Sequence, residues 1–244
     1  KNKYHHTVLM YDADNLKVQV YQDGILLGEA NDVAEFNSGN YLTIGGYAEP
    51  SGSLFMQWNG EVALVRMYDQ ALTPDEIATK FNDLKLPDAP AEPASAALST
   101  PLVDIKFNEN KEASNAGSLT LDVQSNPNDK TTMINVDGYG WVPNFANDIH
   151  NGDYWDGWYR FNFTDELKSK LEDGFTFEML TFCNFNPGDF YVRPVSTDKW
   201  GVHLRCYNGG GFHYWQTFIN ADNGYWNQWG DQINGYGDKA DKAV

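Results

Sequence analysis

Trp226 and Trp229 stand in the run GYWNQWGDQ, with Asn227 and Gln228 between them and Asp231 just after. The same mixture recurs in DYWDGWYRF, which carries Trp155 and Trp158, and in FHYWQ, which carries Trp215. An aromatic ring offers a flat apolar surface to the C–H face of a pyranose, while Asp, Asn and Gln can read its hydroxyls. Sugar recognition is therefore the chemistry these residue types suit, and Trp226, Trp229, Asn227, Asp231, Trp155, Trp158 and Trp215 are the candidate ligand-binding residues. The competing reading is that tryptophans of a β-rich chain fill its core. The glycine- and asparagine-rich setting of Trp226 and Trp229 favours an exposed loop for that pair.

Other chemistries find less support. Hydrolysis of a glycosidic bond needs two carboxylates, one to protonate the leaving oxygen and one to attack or to activate water. The run FTFEMLTF offers Glu178 alone, followed by Met179 and Leu180 where a second acid is wanted, so Glu178 reads as an Arg-paired or partly exposed acid on a sheet face. No H-E-x-x-H, C-x-x-C or calcium-loop pattern occurs, and no nucleophile elbow. Asp12, Asp14 and Asn15 put oxygens at tight spacing, but a hairpin turn uses such residues for its own backbone hydrogen bonds. No cofactor is expected, calcium at such oxygens being the one ion left open. His5 and His6 are adjacent on a strand and so face opposite ways, which prevents joint chelation. Cys183 and Cys206 are read as inward-facing residues of neighbouring strands, either bridged or as two buried thiols. Asn162, Phe163 and Thr164 form a glycosylation sequon, meaningful only in a eukaryotic secretory route.

Charge narrows the partners. Seventeen Lys and Arg against 34 Asp and Glu give a net charge of -17, which repels phosphate backbones and anionic membrane surfaces. Nucleic acid is excluded as a partner on that ground. No run approaches the roughly 18 consecutive apolar residues of a membrane helix, so insertion is not expected.

The elements that must position these residues are organised around WNGEVALVRMYDQALTPDEI, from Trp58 to Ile77. VALVRMY reads as a strand with Val65 and Met67 on one face and Arg66 and Tyr68 on the other. Thr73 then fits a helix N-cap, Pro74 the first helical position and Glu76 the return arm of a capping box, predicting a short helix to about Leu84. Earlier, YHHTVLMYD turns at Ala13, Asp14 and Asn15 and returns as LKVQVY. Asp23-Gly24 next supplies a two-residue turn whose central positions both need positive φ, and ILLGEA pairs back across it. YLTIGGY follows as another strand from Tyr41. After Lys85, LPDAPAEPASAALST holds three prolines and five alanines without periodicity, a linker over 86–100.

The order of Gly60, Val62, Arg66, Met67, Tyr68, Ala71, Leu72, Thr73, Glu76 and Ile77 resembles the closing signature of LamG-like jelly rolls in the concanavalin A-like lectin and glucanase superfamily. Residues 1–85 look like the second half of that fold, and residues 101–244 like its first half. The resemblance implies an all-β, two-sheet antiparallel jelly-roll sandwich with one short helix after the 62–68 strand. Either the halves form one circularly permuted sandwich, with strand 102–108 close to strand 62–68, or they are pieces of a tandem array. His5 and His6 match the family's histidine pair and would be structural. Glucanases of the superfamily carry closely spaced acids on one strand, which this chain lacks, and the acid pair that precedes the arginine in many LamG-like domains is here Ala63 and Leu64. The resemblance thus implies a non-catalytic carbohydrate-binding module of a secreted or cell-surface bacterial protein, with a glycan or polysaccharide as partner. The alternative is a structural spacer or protein-interaction domain that meets a neighbouring domain or chain.

Overall fold

The computed structural model describes residues 4–31, 39–48, 54–55, 58–84, 100–126, 131–145, 157–183, 191–197, 202–209, 212–219 and 232–236. For 47–48, 54–55, 183, 191–193, 202–209, 212–219 and 232–236 the description is of backbone alone. The first segment forms strands Tyr4–Asp12 (β1), Lys17–Gln22 (β2), Ile25–Ala30 (β3), Tyr41–Ile44 (β4), Tyr47–Ala48 (β5), Leu54–Phe55 (β6) and Gly60–Tyr68 (β7), then helix Pro74–Asp83 (α1). The second forms Val103–Phe107 (β8), Ala113–Asn115 (β9), Val123–Asn126 (β10), Thr132–Val136 (β11), Gly140–Phe145 (β12) and Trp158–Asn162 (β13). Helix Asp165–Leu171 (α2) follows, then Gly174–Cys183 (β14), Tyr191–Thr197 (β15), Val202–Gly209 (β16), Phe212–Ile219 (β17) and Gln232–Tyr236 (β18).

These strands form two large antiparallel sheets and the short pair β5-β6, with the central strands β1, β2 and β7 buried on both faces. One large sheet runs β11-β12-β8-β7-β14-β1-β2-β3, with β9 paired to β8; the other runs β10-β13-β4-β15-β16-β17-β18. Leu9, Tyr11, Val18, Val20, Val65, Met67, Phe175 and Phe177 of the first sheet share one buried cluster with Leu42, Ile44, Tyr159, Phe161 and Val195 of the second. The chain is therefore an all-β jelly-roll sandwich whose two inner faces interdigitate. Each fully buried Phe or Leu contributes on the order of 2 kcal/mol of transfer free energy, so this shared cluster is what joins the sheets.

Both chain segments supply strands to both sheets. β14 lies between β7 and β1, and β4 between β13 and β15. β8 pairs with β7 through Arg66 opposite Asp104 and Met67 opposite Val103.

Local chemistry sets the turns. Asp23 and Gly24 adopt φ of 51° and 77°, the left-handed pair that a two-residue hairpin between β2 and β3 requires. Gly45 is at φ 96°, and a Cβ there would stand 2.5 Å from Phe145 Cε1, so only glycine lets β4 end against that ring. The capping box forms in full: Glu76 N–H donates to Thr73 Oγ1 at 3.3 Å, and Thr73 N–H donates to Glu76 Oε2 at 2.7 Å.

The short helix expected after the 62–68 strand is α1, and a second, α2, also forms because Thr164 Oγ1 accepts from Leu167 N–H at 3.1 Å and Leu167 and Leu171, four apart, are buried. One expectation needs correction. Cys183 and Cys206 were expected on neighbouring strands, yet β14 and β16 belong to different sheets, since β4 and β15 bring β16 into the second one. The linker read at 86–100 lies, apart from Thr100, outside the described residues.

Candidate functional site

β13 carries the described part of the candidate face. Tyr159 and Phe161 point into the core, so alternation turns Trp158, Arg160 and Asn162 to the outside of the second sheet. Pairing extends that outer face sideways. Trp158 stands opposite Asn126, Arg160 opposite Gln124 on one side and Thr43 on the other, and Asn162 opposite Tyr41. Ser196 of β15 continues the row beyond Thr43.

The guanidinium of Arg160 lies between two rings, 4.1 Å from the Tyr41 centroid and 4.5 Å from that of Trp158. Its Nε donates to Thr43 Oγ1 at 3.3 Å, which fixes the plane of the group. A cation stacked on an aromatic face contributes about 0.5–1 kcal/mol at a half-exposed position, and two such contacts hold both rings upright on the sheet. Trp158 and Tyr41 are half-buried, and Gln124, Asn126 and Asn162 around them are exposed. Arg160 and Tyr41 were not singled out from sequence. The signal was present in WYR, whose alternation puts Trp158 and Arg160 on one face, but the contribution of Tyr41 arises only from pairing across 117 residues between Arg160 and Thr43.

Of the other sequence candidates, Trp215 lies on β17 with its backbone opposite Cys206. Trp155, Trp226, Asn227, Trp229 and Asp231 lie outside the described residues.

The isolated acid Glu178 sits on the opposite side of the molecule, on the outer face of the first sheet and beneath α1. It is Arg-paired as expected but not partly exposed, for its side chain is 1% accessible. His6 Nε2 lies 3.0 Å from its Oε1, Tyr68 Oη donates to its Oε2 at 2.8 Å, and Arg66 Nη1 is 3.9 Å from Oε2. Lys80 of α1 donates to Tyr68 Oη at 2.8 Å, and Phe81 stacks on the His6 ring with centroids 6.0 Å apart. Burial by itself would raise the Glu178 carboxyl, but the His6 hydrogen bond and the charges of His6, Arg66 and Lys80 outweigh it and hold the group down to about 2. An acid so placed is ionised at neutral pH and shut away from any substrate. The His5 ring turns instead to Asp23, with Nδ1 2.8 Å from Oδ2, so the two imidazoles have separate partners, although the His6 backbone N–H also donates to Asp23 Oδ1 at 2.9 Å.

In the Asp12–Asn15 turn, Asn15 donates its backbone N–H to Asp12 Oδ1 at 3.1 Å and its Nδ2–H to Oδ2 at 2.7 Å. The oxygens of Asp12 are thus engaged by the turn itself. No group of three or more His, Cys, Asp or Glu that could hold a metal occurs among the described residues.

Residues 1–78 match the family model of the concanavalin A-like lectin/glucanases superfamily. The match covers 78 of the 244 residues. No curated protein and no solved structure matches the chain. The matched segment supplies His6, Arg66 and Tyr68 to the buried network and Tyr41 to the outer face of the second sheet, whereas Glu178, Trp158 and Arg160 come from the remainder of the chain. No helix among the described residues is long and apolar enough to cross a membrane.

Proposed function

We propose that this protein is a non-catalytic carbohydrate-binding module acting outside the cell or on its surface. The observation that carries the reading is the Tyr41–Arg160–Trp158 stack, two half-exposed rings held upright on one sheet face among the exposed amides of Gln124, Asn126 and Asn162. That combination offers an apolar surface to a pyranose and hydrogen-bonding groups to its hydroxyls. The superfamily of residues 1–78 includes lectins, which supports the same class of ligand. Sequestration of Glu178 supports binding without hydrolysis, because the acid of the FTFEMLTF strand is already neutralised by its own neighbours. Trp155 and the Trp226–Asp231 run are read as further contacts to the same glycan; Trp215 shares the strand face of Thr217, which register aligns with Leu204 and the core residue Val195, and so is not counted among them.

The two segments are read as one permuted sandwich rather than pieces of a tandem array, a reading supported by β14 lying between β1 and β7. A protein-interaction role is the second reading. It draws on Ile25 and Leu26, 54% and 43% exposed on β3, the last strand of the first sheet. A glycan array followed by titration of intrinsic tryptophan fluorescence tests the proposal: a saturable signal with a defined glycan supports it, and no response to any glycan at millimolar concentration overturns it.

A further inference from the structure

One corner of the first sheet's inner face is polar. Leu9 of β1 and Val20 of β2 stand opposite each other and belong to the interior cluster, and two residues along each strand Thr7 stands opposite Gln22. Alternation turns Thr7 and Gln22 to that same inner side. His5 and, opposite it on β14, Thr181 continue the side toward the strand ends. Thr7, Gln22 and Thr181 are buried, at 0%, 2% and 2% exposure. Thr7 Oγ1 and Gln22 Oε1 are shut off from solvent, and neither has a hydrogen-bond partner among the described residues. Directly opposed Cβ atoms lie only about 5 Å apart, yet the two oxygens do not bond to each other. Two such groups, buried side by side, carry the full penalty of leaving water, which a guest able both to accept and to donate would remove. Their neighbour His5 is engaged elsewhere, with Nδ1 2.8 Å from Asp23 Oδ2 and the two side chains 17% and 15% accessible.

We infer that Thr7 and Gln22 form a binding site on the inner face of the first sheet for one hydroxyl group of a small neutral guest, supplied by water or by a polyol. The guest's oxygen accepts from the Thr7 hydroxyl while its own O–H donates to Gln22 Oε1. A hydroxyl meets both demands, whereas a carbonyl can only accept and an ammonium can only donate. Neither residue is charged, and His5 and Asp23 beside them bind each other, so the site is built for a neutral group. The partly accessible His5–Asp23 pair marks the side by which the guest enters. This site is separate from the aromatic face, which lies on the outer side of the other sheet.

Oxygen-17 magnetic relaxation dispersion of the full chain, which counts water molecules held longer than the protein tumbles, tests this together with melting temperatures measured with and without glycerol. The parent is compared with Thr7→Val, which keeps the branched shape, and with Gln22→Met, which keeps the side-chain length. Each substitution removes one unpartnered oxygen and leaves an apolar group of similar shape, so both variants should stay folded with a far-ultraviolet spectrum like the parent's. A dispersion amplitude lower in both variants by about one water, with glycerol raising all three melting temperatures equally, identifies resident water as the guest. A melting temperature that glycerol raises more in the parent than in either variant identifies a polyol. Equal amplitudes together with equal glycerol responses in the parent and both variants would overturn the site.

Discussion

His6 Nε2 lies 3.0 Å from Glu178 Oε1, joining positions 172 residues apart at the centre of the first sheet. Both groups are buried, and because the carboxylate is ionised the Nε2 carries the shared proton, leaving Nδ1 without a partner among the described residues. Replacing Glu178 by Gln removes the charge that Arg66, Lys80 and His6 surround, and removing one member of a buried ionic network costs about 3 kcal/mol. Urea denaturation should show a lowered midpoint with an unchanged slope, and an unaltered midpoint would mean that the network does not form.

The same group sets an acid limit. With its folded-state value held near 2 and an ordinary value of 4.5, Glu178 contributes stability that is fully present above about pH 4.5 and is lost as pH falls toward 2. The difference corresponds to on the order of 3 kcal/mol across that window. Stability of the Glu178→Gln variant, measured from pH 6 down to pH 2, should therefore fall less steeply than that of the parent; parallel curves would contradict the assignment.

Thr73→Ala removes the acceptor for Glu76 N–H and one arm of the capping box at α1, at a cost of about 1 kcal/mol. Because α1 carries Lys80 and Phe81 onto Tyr68 and His6, the loss should be seen in the global denaturation midpoint as well as in helix content. A midpoint equal to that of the parent would show that the cap does not contribute.

Gly45→Ala combines a left-handed backbone with a Cβ only 2.5 Å from the Phe145 ring. The strain and the displaced ring together should cost about 2 kcal/mol or more, lowering the melting temperature by several degrees. A neutral substitution would mean that β4 ends elsewhere than against Phe145.

What could be read from the sequence was what short-range rules dictate. The Asp23-Gly24 hairpin follows from the need for two positive φ values, and the α1 start follows from Thr73, Pro74 and Glu76 standing in order. α2 carries a comparable signal in Thr164, Asp165 and Glu166 before two leucines four apart, but its seven residues span only about two turns, too few for periodicity to distinguish a helix from the strands around it. Contacts between distant segments were a different matter. Periodicity gave Glu178 its face of the strand but not His6 and Tyr68 as its partners, because register between strands 172 and 110 residues apart is fixed by packing of the whole sandwich. Arg160 could be placed beside Trp158 by alternation, whereas its second ring, Tyr41, comes from a strand whose neighbour is chosen by sheet order.

The most direct measurement is titration of the full chain with the glycan selected by array, comparing the parent with Trp158→Ala and Tyr41→Ala by fluorescence and calorimetry. Losing one stacked ring at a half-exposed site should cost only about 1 kcal/mol of stability, so both variants stay folded. The account predicts that each loses at least tenfold in glycan affinity with a far-ultraviolet spectrum like the parent's. Folded variants that bind the glycan as tightly as the parent would contradict it.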